Sequence, residues 1–189
     1  MKHRVNGYNW LYRSLEPYVS NFLRLFYRQF VIKGIEKVPK DKPVILAPNH
    51  QNAFMDAIVF IPPFGARRQL SYLVRASIFG SKLGDYFLHK FHMLPIYRQI
   101  DGVGNLSKND EIFENCIYLM ENKRILTLFP EGTHNIRKQM LPLKKGVTRI
   151  ALSAEERHDF KLDIHLFPVG IYYSRLSEYG GNILVQFGE

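Results

Sequence analysis

Two hydrophobic patterns alternate along the chain: short continuous apolar runs, and longer segments with apolar residues at three- and four-residue steps. The short runs, rich in branched residues, are typical of buried strands and predict strands at 44–47, 69–74, 93–97, 125–129, 164–171 and 183–187. The stepped segments predict helices at 8–30, 53–61, 78–91, 107–122 and 146–155. Strands that alternate with helices favour right-handed crossovers and a mainly parallel sheet. The predicted fold class is therefore α/β, a mainly parallel central sheet flanked by helices, with an N-terminal amphipathic helical segment.

The first helical segment, residues 8–30, carries an apolar stripe rich in aromatic residues, and arginines flank it. Pro17 is expected to kink or split the helix. An amphipathic basic helix with this composition can lie in a membrane interface, and the same stripe also fits a helix packed on its own domain. The stripe does not choose between these interpretations. Residues 1–33 are assigned to this segment and residues 34–189 to a single domain.

The composition is that of one folded domain: 189 residues, 46% hydrophobic and 23% charged. A net charge of +9 calls for a polyanionic partner, which could be nucleic acid, an anionic lipid surface, a phosphate-bearing substrate or an acidic carrier protein. The basic residues are scattered and no nucleic-acid-binding fingerprint is visible, which argues against nucleic acid. The lone Cys116 excludes an intramolecular disulfide and fits a reducing compartment.

Membrane-spanning segments are not expected, because no apolar run approaches the ~18–20 residues that cross a bilayer. No signal peptide is recognised either. The sequence ends directly after the last predicted strand, which leaves room for a further C-terminal region beyond residue 189.

Polar side chains follow the strand at 44–47 directly, at the edge where α/β sheets present ligand sites. Asn49 and His50 come first, Asn52 is a candidate helix N-cap, and Asp56 lies in the next helical turn. On one continuous helix, His50 and Asp56 would point about 240° apart, so His50 must precede the helix if the two are to touch. An imidazole held by a carboxylate can act as a general base. Taken alone, such a pair more often marks a structural histidine.

Four sequence blocks that follow one another along the chain favour a catalytic role for this pair. They are NHQNAFMD at 49–56, MLPIYR at 93–98, FPEGTH at 129–134 and LFPVGI at 166–171. From about residue 34 to its end, the chain resembles the glycerolipid acyltransferase family, the 1-acylglycerol-3-phosphate O-acyltransferases and their relatives. One residue more than in the common block separates His50 from Asp56, and we expect the loop before the helix to absorb it. His134 stands where many relatives have arginine, with Arg137 or Lys138 as the expected substitute for that charge.

The resemblance implies an acyltransferase of phospholipid biosynthesis at the cytoplasmic face of the membrane, held peripherally. It would move a fatty acyl group from acyl-CoA or acyl-carrier protein, as co-substrate, to a hydroxyl of lysophosphatidate or a related glycerolipid. Catalysis is assigned to His50, oriented by Asp56, and acceptor binding to Arg98, Glu131, Gly132 and Thr133. Arg98 suits a phosphate because its guanidinium can bind it bidentately.

No cofactor or metal is expected. A covalent acyl-enzyme is not expected either, because no Ser or Cys sits in a recognisable nucleophile elbow. Two alternatives stay open. The chain could acylate a phosphate-free acceptor such as an amino-acid lipid, or it could be a non-catalytic module that binds anionic membrane.

Overall fold

The computed structural model describes residues 10–65, 68–97, 108–137, 139–176 and 178–188. Within these ranges the strands are β1 Gln29–Lys33, β2 Val44–Pro48, β3 Leu70–Arg75, β4 Met93–Ile96, β5 Ile125–Leu128, β6 His165–Tyr173 and β7 Asn182–Phe187. The α-helices are α1 Trp10–Phe26, α2 Ala53–Ile58, α3 Ile61–Phe64, α4 Lys82–Lys90, α5 Lys108–Glu121 and α6 Gly146–Arg157.

One sheet unites all these strands, in the order β1-β7-β6-β2-β5-β3-β4. The five strands from β6 to β4 run parallel, β7 is antiparallel to β6, and β1 is parallel to β7. The predicted class, a mainly parallel α/β sheet with flanking helices, is confirmed. The carboxyl ends of the five parallel strands lie together at one edge, which is called the carboxyl edge below.

Each face of the sheet contributes to a separate core, because successive side chains of a strand point to opposite faces. Val44 and Leu46 of β2 join the core that includes Leu23 of α1 and Phe60. Ile45 joins the second core, with buried residues of α5 and α6, Cys116 among them. Cys116 is fully buried in this core.

Helix α1 is apolar on two faces. Its inner face buries Tyr12 and Leu23, which are 2% and 0% exposed. Its outer side exposes Trp10, Tyr18, Phe22 and Leu25. The helix continues through Pro17, so the expected split does not occur. Among the described residues, no helix combines the length and apolar character needed to cross a membrane.

Several boundaries differ from the predicted ones. The helix predicted to reach residue 30 ends at Phe26, because Phe30 to Ile32 pair with Ile183 to Val185 of β7 as strand β1. The helix predicted at 53–61 ends at Ile58, and Pro62 and Pro63 lie in the first turn of the short α3, where their missing N–H groups cost nothing. The helix predicted at 78–91 is confined to α4, and a 3₁₀ turn at Ala76–Ile78 precedes it.

Candidate active site

Asn49 prolongs the pairing of β2 with β6 beyond the point where Pro48 ends the strand. Its side-chain Nδ2 donates to the carbonyl oxygen of Ile171 at 3.0 Å, and its Oδ1 accepts from the Ile171 N–H at 2.6 Å. The Asn49 N–H also donates to the carbonyl oxygen of Val169 at 3.2 Å. The amide side chain thus imitates a further strand residue and fixes the backbone that leads into His50.

The structure brings His50 and Asp56 into direct contact, with 2.8 Å between Nδ1 and Oδ2. The contact is possible because His50 precedes α2, which begins only at Ala53. The additional residue is absorbed in this loop, as expected, and Ala53 takes a positive φ of 40° there. Left-handed backbone is unfavourable for alanine. The spacing is therefore accommodated with local backbone strain next to the site.

The carboxylate of Asp56 is fully buried and surrounded by donors. Its Oδ2 accepts the N–H groups of Gln51 and Asn52, each at 2.7 Å, and its Oδ1 accepts the Tyr173 hydroxyl at 2.7 Å. The predicted N-cap, Asn52, gives no capping hydrogen bond from its side chain to α2, so Asp56 and not Asn52 organises this helix start. Buried charges require such partners.

The charge of this carboxylate affects two buried tyrosines, Tyr173 and Tyr27. Burial raises the pKa of the Tyr173 hydroxyl, and the negative charge of Asp56 raises it further. Burial, with the Asp56 charge as a second cause, raises the pKa of Tyr27 to about 12. Tyr173 is therefore a permanent proton donor to Asp56 at neutral pH.

The His50 ring is stacked on Phe129, with ring centroids 4.1 Å apart and planes 21° apart. His134 approaches edge-on, at 5.8 Å between centroids. The His50 side chain is 16% exposed, so substrate can reach it while most of the ring is shielded. With Nδ1 held by Asp56, the tautomer is fixed and Nε2 is the nitrogen that can accept a proton.

Glu131 connects the loop after β5, to which it belongs, with the loop after β2, which carries His50. Its carboxylate is 3% exposed, and its Oε1 accepts the N–H of His50 at 2.9 Å. Its Oε2 accepts the N–H of Leu141 at 3.0 Å. A further bond runs from the Asn135 N–H to the His50 carbonyl oxygen at 2.9 Å. Glu131 thus lies beside His50, and its hydrogen-bond partners are the backbone N–H groups of His50 and Leu141.

The turn that follows depends on Gly132, whose φ of 68° favours glycine. Arg75, the last residue of β3, spans this turn: its Nη2 donates to the Gly132 carbonyl oxygen at 3.3 Å and to the Thr133 Oγ1. The sequence interpretation missed Arg75. A predicted strand at 69–74 whose next residue is arginine, in a parallel sheet, was the available signal. Arg98 and Lys138 lie outside the described residues, and Arg137 is exposed.

A groove of about 920 Å³ adjoins these motifs along the exposed face of β6. Asn49 and Glu131 belong to its wall. Its apolar lining comes from the loop before α6, from α6 itself, and from β6 and β7, and includes Met140, Leu143, Val147, Leu166, Tyr172 and Leu184. In the described part of the chain, no group of three His, Cys, Asp or Glu side chains is placed to hold a metal ion.

Known proteins share this architecture. Residues 29–172 match the family model described as Acyltransferase. The 1-acyl-sn-glycerol-3-phosphate acyltransferase of Saccharomyces cerevisiae is 32% identical over 127 residues, which are 64% of this chain and 38% of that protein. Tafazzin of Drosophila melanogaster is 30% identical over 138 residues, 67% of this chain and 34% of that protein.

The chain thus spans little more than a third of the length of these two relatives. In the crystal structure of the 1-acyl-sn-glycerophosphate (LPA) acyltransferase PlsC from Thermotoga maritima, the same fold covers all of this chain and 72% of that one. The TM-score is 0.64 and the identity is 22%.

Proposed function

The chain belongs to the acyltransferase family, and we propose that it transfers a fatty acyl group from a thioester donor to a free hydroxyl of lysophosphatidate or a related glycerolipid. The donor would be acyl-CoA or acyl-carrier protein. The observation that carries the proposal is the His50–Asp56 pair, 2.8 Å apart at the carboxyl end of β2 and close to an apolar groove.

In the proposed reaction His50 acts as the general base. Its Nε2 takes the proton of the acceptor hydroxyl while the oxygen attacks the thioester carbonyl carbon. The tetrahedral intermediate then collapses, the carbon–sulfur bond breaks, and the proton passes from His50 to the departing thiolate. A base of this kind contributes ~10²–10⁴-fold. Asp56 keeps Nδ1 protonated and stabilises the imidazolium formed midway.

The groove is the proposed place for an acyl chain. It begins at the wall formed by Asn49 and Glu131 and continues over the exposed face of β6. Each CH₂ group moved from water into such surroundings gains ~0.8 kcal/mol. Burial in the groove therefore favours the binding of long acyl chains. An acyl chain bound there would place its thioester near His50.

Acceptor binding is assigned to the loops at the carboxyl edge. Arg98, which follows Tyr97 in the sequence, would hold a phosphate. Glu131, Gly132 and Thr133 would form the turn against which the acceptor rests, and Arg75 would keep that turn in place through its bonds to Gly132 and Thr133. In this arrangement Arg75 is a positioning residue.

Membrane attachment is proposed through the outer face of α1, which exposes aromatic residues beside Arg13 and Arg24. Such a helix can lie in the headgroup region of the cytoplasmic leaflet, whose lipids are anionic. The inner face of α1 packs on the domain, and its outer face is exposed. The helix can therefore both pack on its own domain and lie in a membrane interface.

The function is tested by incubating the purified protein and vesicles with acyl-CoA or acyl-carrier protein against a panel of acceptors. The panel contains lysophosphatidate, other lyso-lipids, glycerol 3-phosphate and an amino-acid lipid. We expect acylation of lysophosphatidate or a close relative, and its loss in His50→Ala. His158→Ala is the matched control, because His158 pairs with Glu121 on the surface of α5. Normal turnover by a folded His50→Ala protein would disprove the mechanism, and preference for the amino-acid lipid would redirect the acceptor assignment.

A further inference from the structure

Several large apolar side chains are exposed at the carboxyl edge, the edge that carries His50. They come from the segments that follow β2, β3 and β5 and from the hairpin between β6 and β7. We call them the rim: Phe54, Ile78, Ile136, Met140, Leu143 and Tyr179, which are 52% to 77% exposed. Four separate segments of the chain thus present large apolar groups to solvent at the same edge of the sheet.

The opposite edge has a different character. The loops that lead into β2, β5 and β6 are rich in charges of both signs, with ion pairs such as Lys42–Asp163 at 2.9 Å. Phe160 is the exposed large apolar residue of these loops in the described part of the chain. The uneven distribution points to a partner at the carboxyl edge, because a surface patch of large apolar groups marks an interaction site.

Charge at the rim identifies the kind of partner. Arg137, Lys144 and Lys145 are exposed in the same loop as Ile136, Met140 and Leu143. The acidic Glu178 beside Tyr179 is paired with Arg175 at 3.7 Å. Apolar groups that alternate with cations suit the boundary between acyl chains and anionic headgroups.

The rim is joined to the site by hydrogen bonds. The Glu131 carboxylate accepts the N–H of His50 with one oxygen and the N–H of Leu141, between Met140 and Leu143, with the other. The Lys144 N–H donates to the Pro130 carbonyl oxygen at 2.7 Å. Met140 and Leu143 also line the groove. A surface seated on the rim would therefore lie directly at the mouth of the groove.

We propose that the carboxyl edge docks onto an anionic lipid bilayer, with the rim side chains in the acyl–headgroup boundary. The inference builds on the proposed function, since it explains how a lipid could pass between bilayer and groove without crossing water. It assigns membrane contact to the loops around the site, in addition to α1.

The first test places a fluorescent probe at the rim. Ile136→Cys and Tyr179→Cys, labelled with an environment-sensitive thiol dye, are compared with Phe160→Cys at the opposite edge. The native Cys116 is fully buried, and the labelled wild-type chain gives its background. On vesicles of equal parts phosphatidylglycerol and phosphatidylcholine, emission of the rim probes should shift to the blue, and quenching by aqueous iodide should fall several-fold. The Phe160→Cys probe should not change.

Rim probes that stay as accessible to iodide on sedimented vesicles as in solution would overturn the proposal, and so would a protein that does not sediment with these vesicles. The second test uses affinity. Ile136→Ser and Tyr179→Ser should each weaken vesicle binding by about tenfold, the value of one large apolar side chain, whereas Phe160→Ser should leave it unchanged. Equal vesicle affinity for all three variants would contradict the proposed contact between the rim and the membrane. Both readouts are independent of acyl transfer, so a protein that docks but does not acylate would disprove the proposed function alone.

Discussion

The hydroxyl of Tyr173 lies 2.7 Å from Oδ1 of Asp56, although 117 positions separate the two residues. Tyr173 is the last residue of β6, and Asp56 lies in the first turn of α2. Their bond joins α2, which carries Asp56, to β6, the strand that pairs with β2. The orientation of His50 thus depends on the assembled sheet as well as on its own loop.

Removing this hydroxyl should weaken both fold and function. In Tyr173→Phe, a buried carboxylate loses one of its donors, and we expect a loss of ~1–3 kcal/mol in the free energy of unfolding. The kcat should also fall, but less than in Asp56→Asn. Urea denaturation and steady-state kinetics measure the two effects. Tyr86→Phe is the control, since Tyr86 is exposed on α4. If Tyr173→Phe behaves like that control, the bond does not orient the site.

Asp56→Asn tests the tautomer directly. The amide can present its NH₂ group to Nδ1, which favours the wrong ring tautomer, and the positive charge formed on His50 loses its partner. We expect kcat to fall on the order of 10³- to 10⁴-fold, as in other His–Asp pairs, with little change in the acceptor KM. Asp110→Asn, at an exposed position of α5, should keep full activity. A kcat within a few-fold of wild type would show that Asp56 is structural.

Arg98 and Arg75 should respond differently to substitution. If Arg98 holds the acceptor phosphate, Arg98→Ala should raise the acceptor KM about ten- to two-hundred-fold, and lysine should restore only part of it. Arg75→Ala should lower kcat as well, because the Gly132–Thr133 turn loses its support. Arg149→Ala is the exposed control. An unchanged acceptor KM in Arg98→Ala would favour a phosphate-free acceptor.

Two adjacent residues of α1 lie on its two different faces. Phe22 is 48% exposed, whereas Leu23 is fully buried. Phe22→Ser should weaken binding to anionic vesicles and leave stability nearly unchanged, while Leu23→Ala should cost ~2–5 kcal/mol of stability. Sedimentation with vesicles and thermal unfolding distinguish the two. Vesicle binding that is insensitive to Phe22→Ser would assign α1 to the fold alone.

Alkaline pH should destabilise the fold through buried acids. Burial raises the pKa of Cys116 from 9.0 to about 12, and burial together with the Asp56 charge raises that of Tyr27 from 10.0 to about 12. Both groups bind protons more tightly in the folded state. The stability they contribute is therefore full below pH 9.0 and is lost as the pH rises toward about 12. Urea denaturation along a pH series should show this decline, and Cys116→Ala should delay its onset to about pH 10. A free energy of unfolding that does not change along this pH series would contradict the prediction.

The amino-acid sequence by itself determined the local elements and the position of the candidate site at the end of β2. The short apolar runs predicted β2 to β7 within a few residues, since a buried strand must be apolar wherever it lies in the sheet. The residues before and after Pro48 predicted a strand followed by Asn49 and His50, and the spacing to Asp56 required His50 to precede the helix if the two were to touch. These inferences succeeded because they depend on neighbours in the chain.

The tertiary structure alone decided which distant groups meet. Phe30 fits the helical period of the first segment, but it pairs with Ile183 of β7, and the hydrogen bonds of the β1–β7 ladder outweighed that weak local preference. The same holds for Tyr173 on Asp56, for Arg75 on Thr133, and for the two oxygens of Glu131, which are held by backbone donors from separate loops. Hydrophobic periodicity reports which side chains avoid water and not what they contact. Those contacts follow from strand order and register, which the packing of the whole chain determines.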